Sequence, residues 1–209
     1  YDVLGSFRKN LIGSTRKKAQ LKEMVREVFG EDTGNAAAKE MAAAWSKSAE
    51  YLRKRFNAAG GRIAQRQDWG LPQFHDTLKV RKSTYQDWRN FIVPLLNTKK
   101  MVDEQTGQPF SEARLELALK DVYETVRTDG FSKIKPGAGG QGKSISSRHT
   151  DHRFLVFDGA DNWIKYQEKF GNPDAFDTMM GHISTMSRDI AMMEVLGPNP
   201  RSTINFMKQ

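Results

Sequence analysis

The chain has 209 residues, 38% of them hydrophobic and 28% charged, with twelve Phe and four Trp. That is enough for one ordinary domain or two small ones, and too apolar for a disordered chain. There is no cysteine, which excludes disulfides, thiol catalysis and thiolate–metal sites, and no apolar run approaches the roughly 20 residues of a helical membrane span. The net charge of +8 is uneven: residues 1–100 carry 20 Lys and Arg against 10 Asp and Glu, and residues 101–209 carry 13 against 15. A polyanion is drawn to the first half of the chain.

In chain order, Ser14 or Thr15 is placed to cap a helix to about Phe29, with Leu21, Val25 and Val28 in a stripe, Met24 at its flank and Gly30 as the stop. Thr33 then caps a helix over about 34–58, where Ala37, Met41, Ala44, Trp45, Ser48, Leu52 and Phe56 recur at spacings of three and four. Residues 62–76 are broken by Gly70 and Pro72 and read as a connector pinned by Trp69, Leu71 and Phe74. Ser83 is placed to cap a helix over about 84–96, buried through Tyr85, Trp88 and Ile92 and kinked or shortened by Pro94. Ser111 caps a helix to about 128, striped by Leu115, Leu119, Val122 and Val126. Residues 131–152 are glycine-rich and read as a flexible loop or arm. The run Arg153–Phe157 is the strand candidate. Asp158 or Asp161 caps the helix Asn162–Phe170. Asp174 starts a long methionine-rich helix stopped at Gly197-Pro198, and a further helix begins at Arg201.

The expected fold is therefore mainly α: an irregular bundle of about six helices with one short β-strand at 153–157 and a Gly-rich loop. Its linear divisions are a basic helical hairpin over 1–60, a helical domain over 61–130, the loop over 131–152, and a strand with a methionine-rich helical segment over 153–209.

Gly137, Gly142, Lys143 and Ser144 match the spacing of a nucleotide phosphate loop, and Asp158 follows an apolar run as a magnesium aspartate would. The context does not fit. Pro136 interrupts the position of the incoming strand, no helical stripe follows Ser144, and Asp158 is too near for a crossover between parallel strands. His149 and His152 form H-x-x-H, but no third or fourth metal ligand is evident. His75 next to Asp76 suggests an oriented general base. Adjacent residues of an extended segment face opposite ways, so Asp76 is better read as a helix cap and His75 as a packed loop residue. No catalytic residue, metal or cofactor is expected.

Two stretches mix basic and aromatic residues as a phosphate-tracking surface does. They supply the candidate nucleic-acid contacts Arg53, Lys54, Arg55, Lys79, Arg81 and Lys82. Met179, Met180, Met186, Met192 and Met193 are the candidate interface, because several lie off any single stripe and methionine packs adaptably.

The segments "DWGLPQFHD", "YETVRTDG", "HRFLVFDGADNWIKYQEKFG" and "AFDTMMGHISTMSRDIAMMEVLGPNP", in that order across about residues 60–200, resemble parts of very large proteins of bacteriophages and prophages. Such proteins travel in the virion or enter the host with the genome. The resemblance implies a non-catalytic structural segment of a longer virion or ejection polypeptide, for which a start at Tyr1 rather than Met is suited. Its partners would be other copies or other virion proteins, with DNA or an anionic membrane as electrostatic partner. Its location would be the virion and, after ejection, the host envelope. Two other readings stay open: a phage-delivered hydrolase or nucleotide-using domain centred on residues 137–152, and a non-specific nucleic-acid-binding module.

Overall fold

In the computed structural model of the protein, residues 18–63, 71–102, 107–129, 145 and 155–208 are described. They are mainly helical, in eight α-helices: α1 Lys18–Val28, α2 Ala36–Ala58, α3 Thr77–Arg81, α4 Tyr85–Ile92, α5 Glu112–Arg127, α6 Ala160–Phe170, α7 Ala175–Leu196 and α8 Pro200–Met207. The chain divides into two compact units that do not follow its linear segments. Among the described residues, the first unit takes those up to Pro72, Ile145, and those from Asp174 onward. The second takes those from Gln73 to Asp129 and from Leu155 to Pro173.

The first unit grows from the α1–α2 hairpin. Leu21, Met24 and Val25 are buried, so Met24 belongs to the core stripe rather than its flank, while Val28 is only half-buried. The cap of α2 is Asn35, not Thr33: Asn35 Oδ1 accepts from Ala37 N at 3.0 Å and Ala38 N at 3.2 Å. Thr33 is used two residues earlier, where its amide and hydroxyl both donate to Glu27 Oε1 at 2.7 Å. Asn35 Nδ2 donates to Glu23 Oε2 at 2.5 Å, so two α1 carboxylates fix the start of α2. On α2 the expected large residues Met41, Trp45, Leu52 and Phe56 are buried, with Ala38, Ala42 and Ala49 between them. These small side chains let the neighbouring helices approach closely. α2 packs on both α1 and α7.

Asp174 caps α7 as its position predicts, accepting from Phe176 N at 2.9 Å and Asp177 N at 3.1 Å. Leu52, Phe56, Ile63, Ile145, Met186, Ile190 and Met193 form one buried cluster. Asn57 closes the chain against it, donating to Ile63 O at 2.9 Å and accepting from Ile63 N at 2.7 Å. Pro200 occupies the first turn of α8, where its missing N–H costs nothing.

In the second unit Asp76 caps α3, accepting from Leu78 N at 2.9 Å and Lys79 N at 3.1 Å. The cap of α4 is Thr84 rather than Ser83. Its hydroxyl accepts from Asp87 N at 3.1 Å and donates to Asp87 Oδ2 at 2.7 Å, while Ser83 Oγ turns back to Val80 O at 2.9 Å. Pro94 converts the end of α4 into the 3-10 turn Val93–Leu95, the expected shortening. Ser111 caps α5 through Arg114 N at 3.3 Å. Of the expected stripe of α5, Leu119 is buried and Leu115, Val122 and Val126 are half-buried, while Tyr123 and Thr125 are buried beside them.

The expected strand is reduced to one bridge. Of its described residues, 155–157, only Phe157 pairs, antiparallel with Leu96. The bonds are Asn97 N to Val156 O at 2.8 Å and Asp158 N to Leu95 O at 2.9 Å. The 3-10 turn before Leu96 leaves it too few extended residues to form a ladder. Helix α6 is preceded by Gly159 at φ +90°, a left-handed backbone that neither candidate aspartate adopts readily. Asp158 instead accepts from Asn97 Nδ2 at 3.0 Å, and Asp161 falls in the first turn of α6.

Candidate functional site

The best-defined polar constellation lies in the second unit around Tyr166. The pattern Trp163, Tyr166, Gln167 and Phe170 places four side chains on one face of α6, and all four are buried. The Trp88 indole N–H donates to the Tyr166 hydroxyl at 3.3 Å, and His75 Nδ1 lies 2.8 Å from the same oxygen. An indole N–H can only donate. The phenol hydroxyl can also accept from His75 or donate to it, and the direction of that bond is set by the imidazole tautomer. Burial pushes the Tyr166 pKa up, so the hydroxyl stays protonated. Phe157 and Phe170 flank the ring, with centroids at 5.3 and 5.9 Å. His75 stands edge-on to it at 5.5 Å.

The segment that carries His75 is tied to the end of α6. Asp76 N donates to Phe170 O at 2.8 Å, and Lys79 Nζ donates to Gly171 O at 2.8 Å. Asp76 is engaged in capping, as its sequence position suggests, and His75 turns to a phenol rather than to that carboxylate. Phe74 does not pin the connector, because its side chain is exposed, whereas Leu71 is buried. Trp69 lies outside the described residues.

A second constellation joins α4 to α5. Glu116 accepts from the Tyr85 hydroxyl at 2.6 Å and from Arg89 Nε at 2.6 Å. The Tyr85 hydrogen bond, then Arg89, holds the Glu116 carboxyl below its ordinary value of 4.5. Burial, reinforced by Glu116, pushes Tyr85 up to about 12. Tyr123 packs on both Tyr85 and Trp88 and donates to Ser83 O at 2.6 Å. Neither constellation stood out in the sequence, although the spacing of three and four within "NWIKYQEKF" carries the first.

The candidate nucleic-acid contacts are mostly engaged within the chain. Arg53 makes two bonds of 2.8 Å to Glu50 and one of 2.9 Å to Ile63 O. Its first effect is to lower the Glu50 pKa. Arg55 Nη2 bonds both Glu194 oxygens, at 2.6 and 2.8 Å. Arg81 Nε donates to Arg127 O at 2.6 Å, a cation at the carbonyl end of α5, and Lys79 does the same for the end of α6. Lys54 reaches Glu50 only at 3.7 Å with its side chain 71% exposed, and Lys82 is exposed.

The candidate interface methionines divide likewise. Met179, Met186 and Met193 are buried in the first unit's own core, so they are not open to another chain. Met192 is partly buried against that core, and Met180 is half-buried. Lys143, Ser144, His149 and His152 lie outside the described residues, as does the Gly-rich loop apart from Ile145, which is buried. Among the described residues no group of three or more His, Cys, Asp or Glu is arranged to hold a metal, and no helix is long and apolar enough to cross a membrane. No family model, no curated protein and no solved structure matches the chain.

Proposed function

We propose that the chain is a non-catalytic structural segment of a bacteriophage virion or ejection protein. It packs against other copies or other virion proteins, with DNA or an anionic membrane surface as electrostatic partner. Its place is the virion and, after ejection, the host cell envelope. The ordered resemblance over residues 60–200 supports this reading.

The observation that carries it is apolar surface on the first unit. Val195 on the last turn of α7 is 80% exposed, and Phe206 and Met207 on α8, which packs on α7, are 80% and 72% exposed. Large apolar side chains left this exposed are surface on which a partner can pack. The electrostatic part rests on Lys54 and Lys82, the two candidate cations least occupied by intramolecular bonds.

Light scattering of the 209-residue chain across a concentration series tests the reading. The expected outcome is concentration-dependent association that the combined variant Val195→Ser, Phe206→Ser, Met207→Ser abolishes while helix content is kept. A wild-type chain that stays monomeric at every concentration removes the basis of the proposal. For the electrostatic part, binding to duplex DNA or anionic vesicles should weaken with salt, and Lys54→Gln with Lys82→Gln should flatten that dependence.

A further inference from the structure

Tyr166 is 0% exposed, and among the described residues its hydroxyl has two hydrogen-bond partners, the Trp88 indole at 3.3 Å and His75 Nδ1 at 2.8 Å. The hydroxyl has one proton to donate. The indole nitrogen cannot accept it. His75 Nδ1 can accept it only while that nitrogen carries no proton of its own, which is the neutral Nε2–H tautomer. With Nδ1 protonated, both partners are donors aimed at one oxygen, and the phenol proton is left in the interior without an acceptor. A buried donor left unpaired bears its desolvation cost. Protonation also puts a charge on a half-buried ring, which burial opposes.

His75 lies on the strip of chain that is fastened to the end of α6. Asp76 N donates to Phe170 O and Lys79 Nζ to Gly171 O, both at 2.8 Å. The two segments run close enough that a Cβ on Gly171 would lie 2.7 Å from Phe74 O. The charged groups on the surrounding elements are Asp76 and Lys79 on the same strip, Asp161, Lys165, Glu168 and Lys169 on the exposed side of α6, and Asp87 and Arg89 on α4. Asp76, which caps α3, favours an imidazolium beside it, and Lys79 opposes one. Carboxylates, ammonium and guanidinium groups ordinarily titrate outside about pH 5–8, so the imidazole is the group whose charge changes there.

We propose that the bond between His75 and Tyr166 is an acid-sensitive latch. With the imidazole neutral it holds residues 74–79 to α6, and protonation of the imidazole releases them. The folded chain accommodates the neutral ring better than the charged one, so the unfolded chain takes up the proton more readily. The latch therefore contributes fully above the ordinary imidazole value of about 6.5 and is lost as pH falls below it.

Hydrogen exchange of the Asp76 amide, the donor to Phe170 O, reports on the latch separately from the other histidines of the chain. In the 209-residue chain its protection, corrected for the intrinsic exchange rate, should fall on the order of tenfold from about pH 8 to about pH 5. His75→Asn offers the phenol an amide oxygen that does not titrate, and Tyr166→Phe has no phenol proton to strand; each should flatten the fall. A parent chain whose protection holds, or a fall that persists undiminished in either variant, overturns the latch. The nitrogen chemical shifts of the His75 imidazole need no variant. At about pH 8 Nδ1 should be the unprotonated nitrogen, and a protonated Nδ1 there would equally overturn the proposal.

Discussion

The two units use different materials for the same task. The core of the first is aliphatic: Met24, Met41, Met179, Met186 and Met193 with alanine, leucine and isoleucine, plus Trp45 and Phe56. Its interior contacts demand volume more than direction, because methionine has several torsions and no strong hydrogen-bonding atom. The core of the second unit combines aliphatic side chains with a dense set of aromatic rings. Tyr85, Trp88, Tyr123 and Tyr166 each carry a polar tip that is bonded to a named partner. The first unit is specified mainly by how much space is filled, the second by which atoms meet.

That contrast can be broken by substitution, with hydrogen exchange in α6 reporting on the second unit and exchange in α7 on the first. The largest expected effect is from Trp88→Ala, which removes a fully buried ring and the donor to Tyr166. A loss of about 3–5 kcal/mol should appear in α6 protection. Tyr166→Phe keeps the ring and deletes only the hydroxyl shared by Trp88 and His75; a loss of about 1–3 kcal/mol is expected from the stranded partners. Met186→Leu in the first unit should cost less than about 1.5 kcal/mol in α7 protection, since volume is nearly conserved. If Met186→Leu proved more costly than Tyr166→Phe, the distinction between filling space and meeting partners would be wrong.

The smallest effects are electrostatic. Glu116 has a lowered pKa in the folded chain, so its contribution is complete above the ordinary value of 4.5 and is lost as pH falls through the lowered value. Tyr85 is shifted the other way, from 10.0 to about 12, so its contribution is complete below 10.0 and fades as pH rises towards 12. Urea midpoints of the parent and Glu116→Gln chains should therefore converge in acid, and those of the parent and Tyr85→Phe chains at the alkaline end. Parallel pH profiles would show that the α4–α5 triad adds nothing to stability. The pair with Arg89 is largely solvated, so both differences should be shallow.

Helix positions were legible because they depend on local pattern. The stripe of α2, the Asp174 cap and the shortening at Pro94 all follow from residues within a few positions of one another. The missed caps share one physical reason. Thr33 and Ser83 are good caps in isolation, but each stands one or two residues too early: the helices begin after Asn35 and Thr84, whose side-chain oxygens accept from the first-turn amides. The surroundings of the basic stretches were likewise beyond local pattern. Composition identifies Arg53, Arg55, Lys79 and Arg81 as cations, but only the folded chain places Glu50, Glu194, Gly171 O and Arg127 O beside them. The Tyr166 site was not legible because His75, Trp88 and Tyr166 meet from separate parts of the sequence.

The division of the chain also bears on its synthesis. Phe56 and Leu52 leave the ribosome long before Met186, Ile190 and Met193, with which they share a cluster. The nascent α1–α2 hairpin must hold its oily side unshielded while everything between is translated, and non-local closure of this kind is slow and prone to aggregation. The second unit, drawn wholly from the intervening stretch, can mature first. A chaperone acting on this polypeptide should therefore be needed at α2, and pausing translation ahead of α7 should lengthen that dependence.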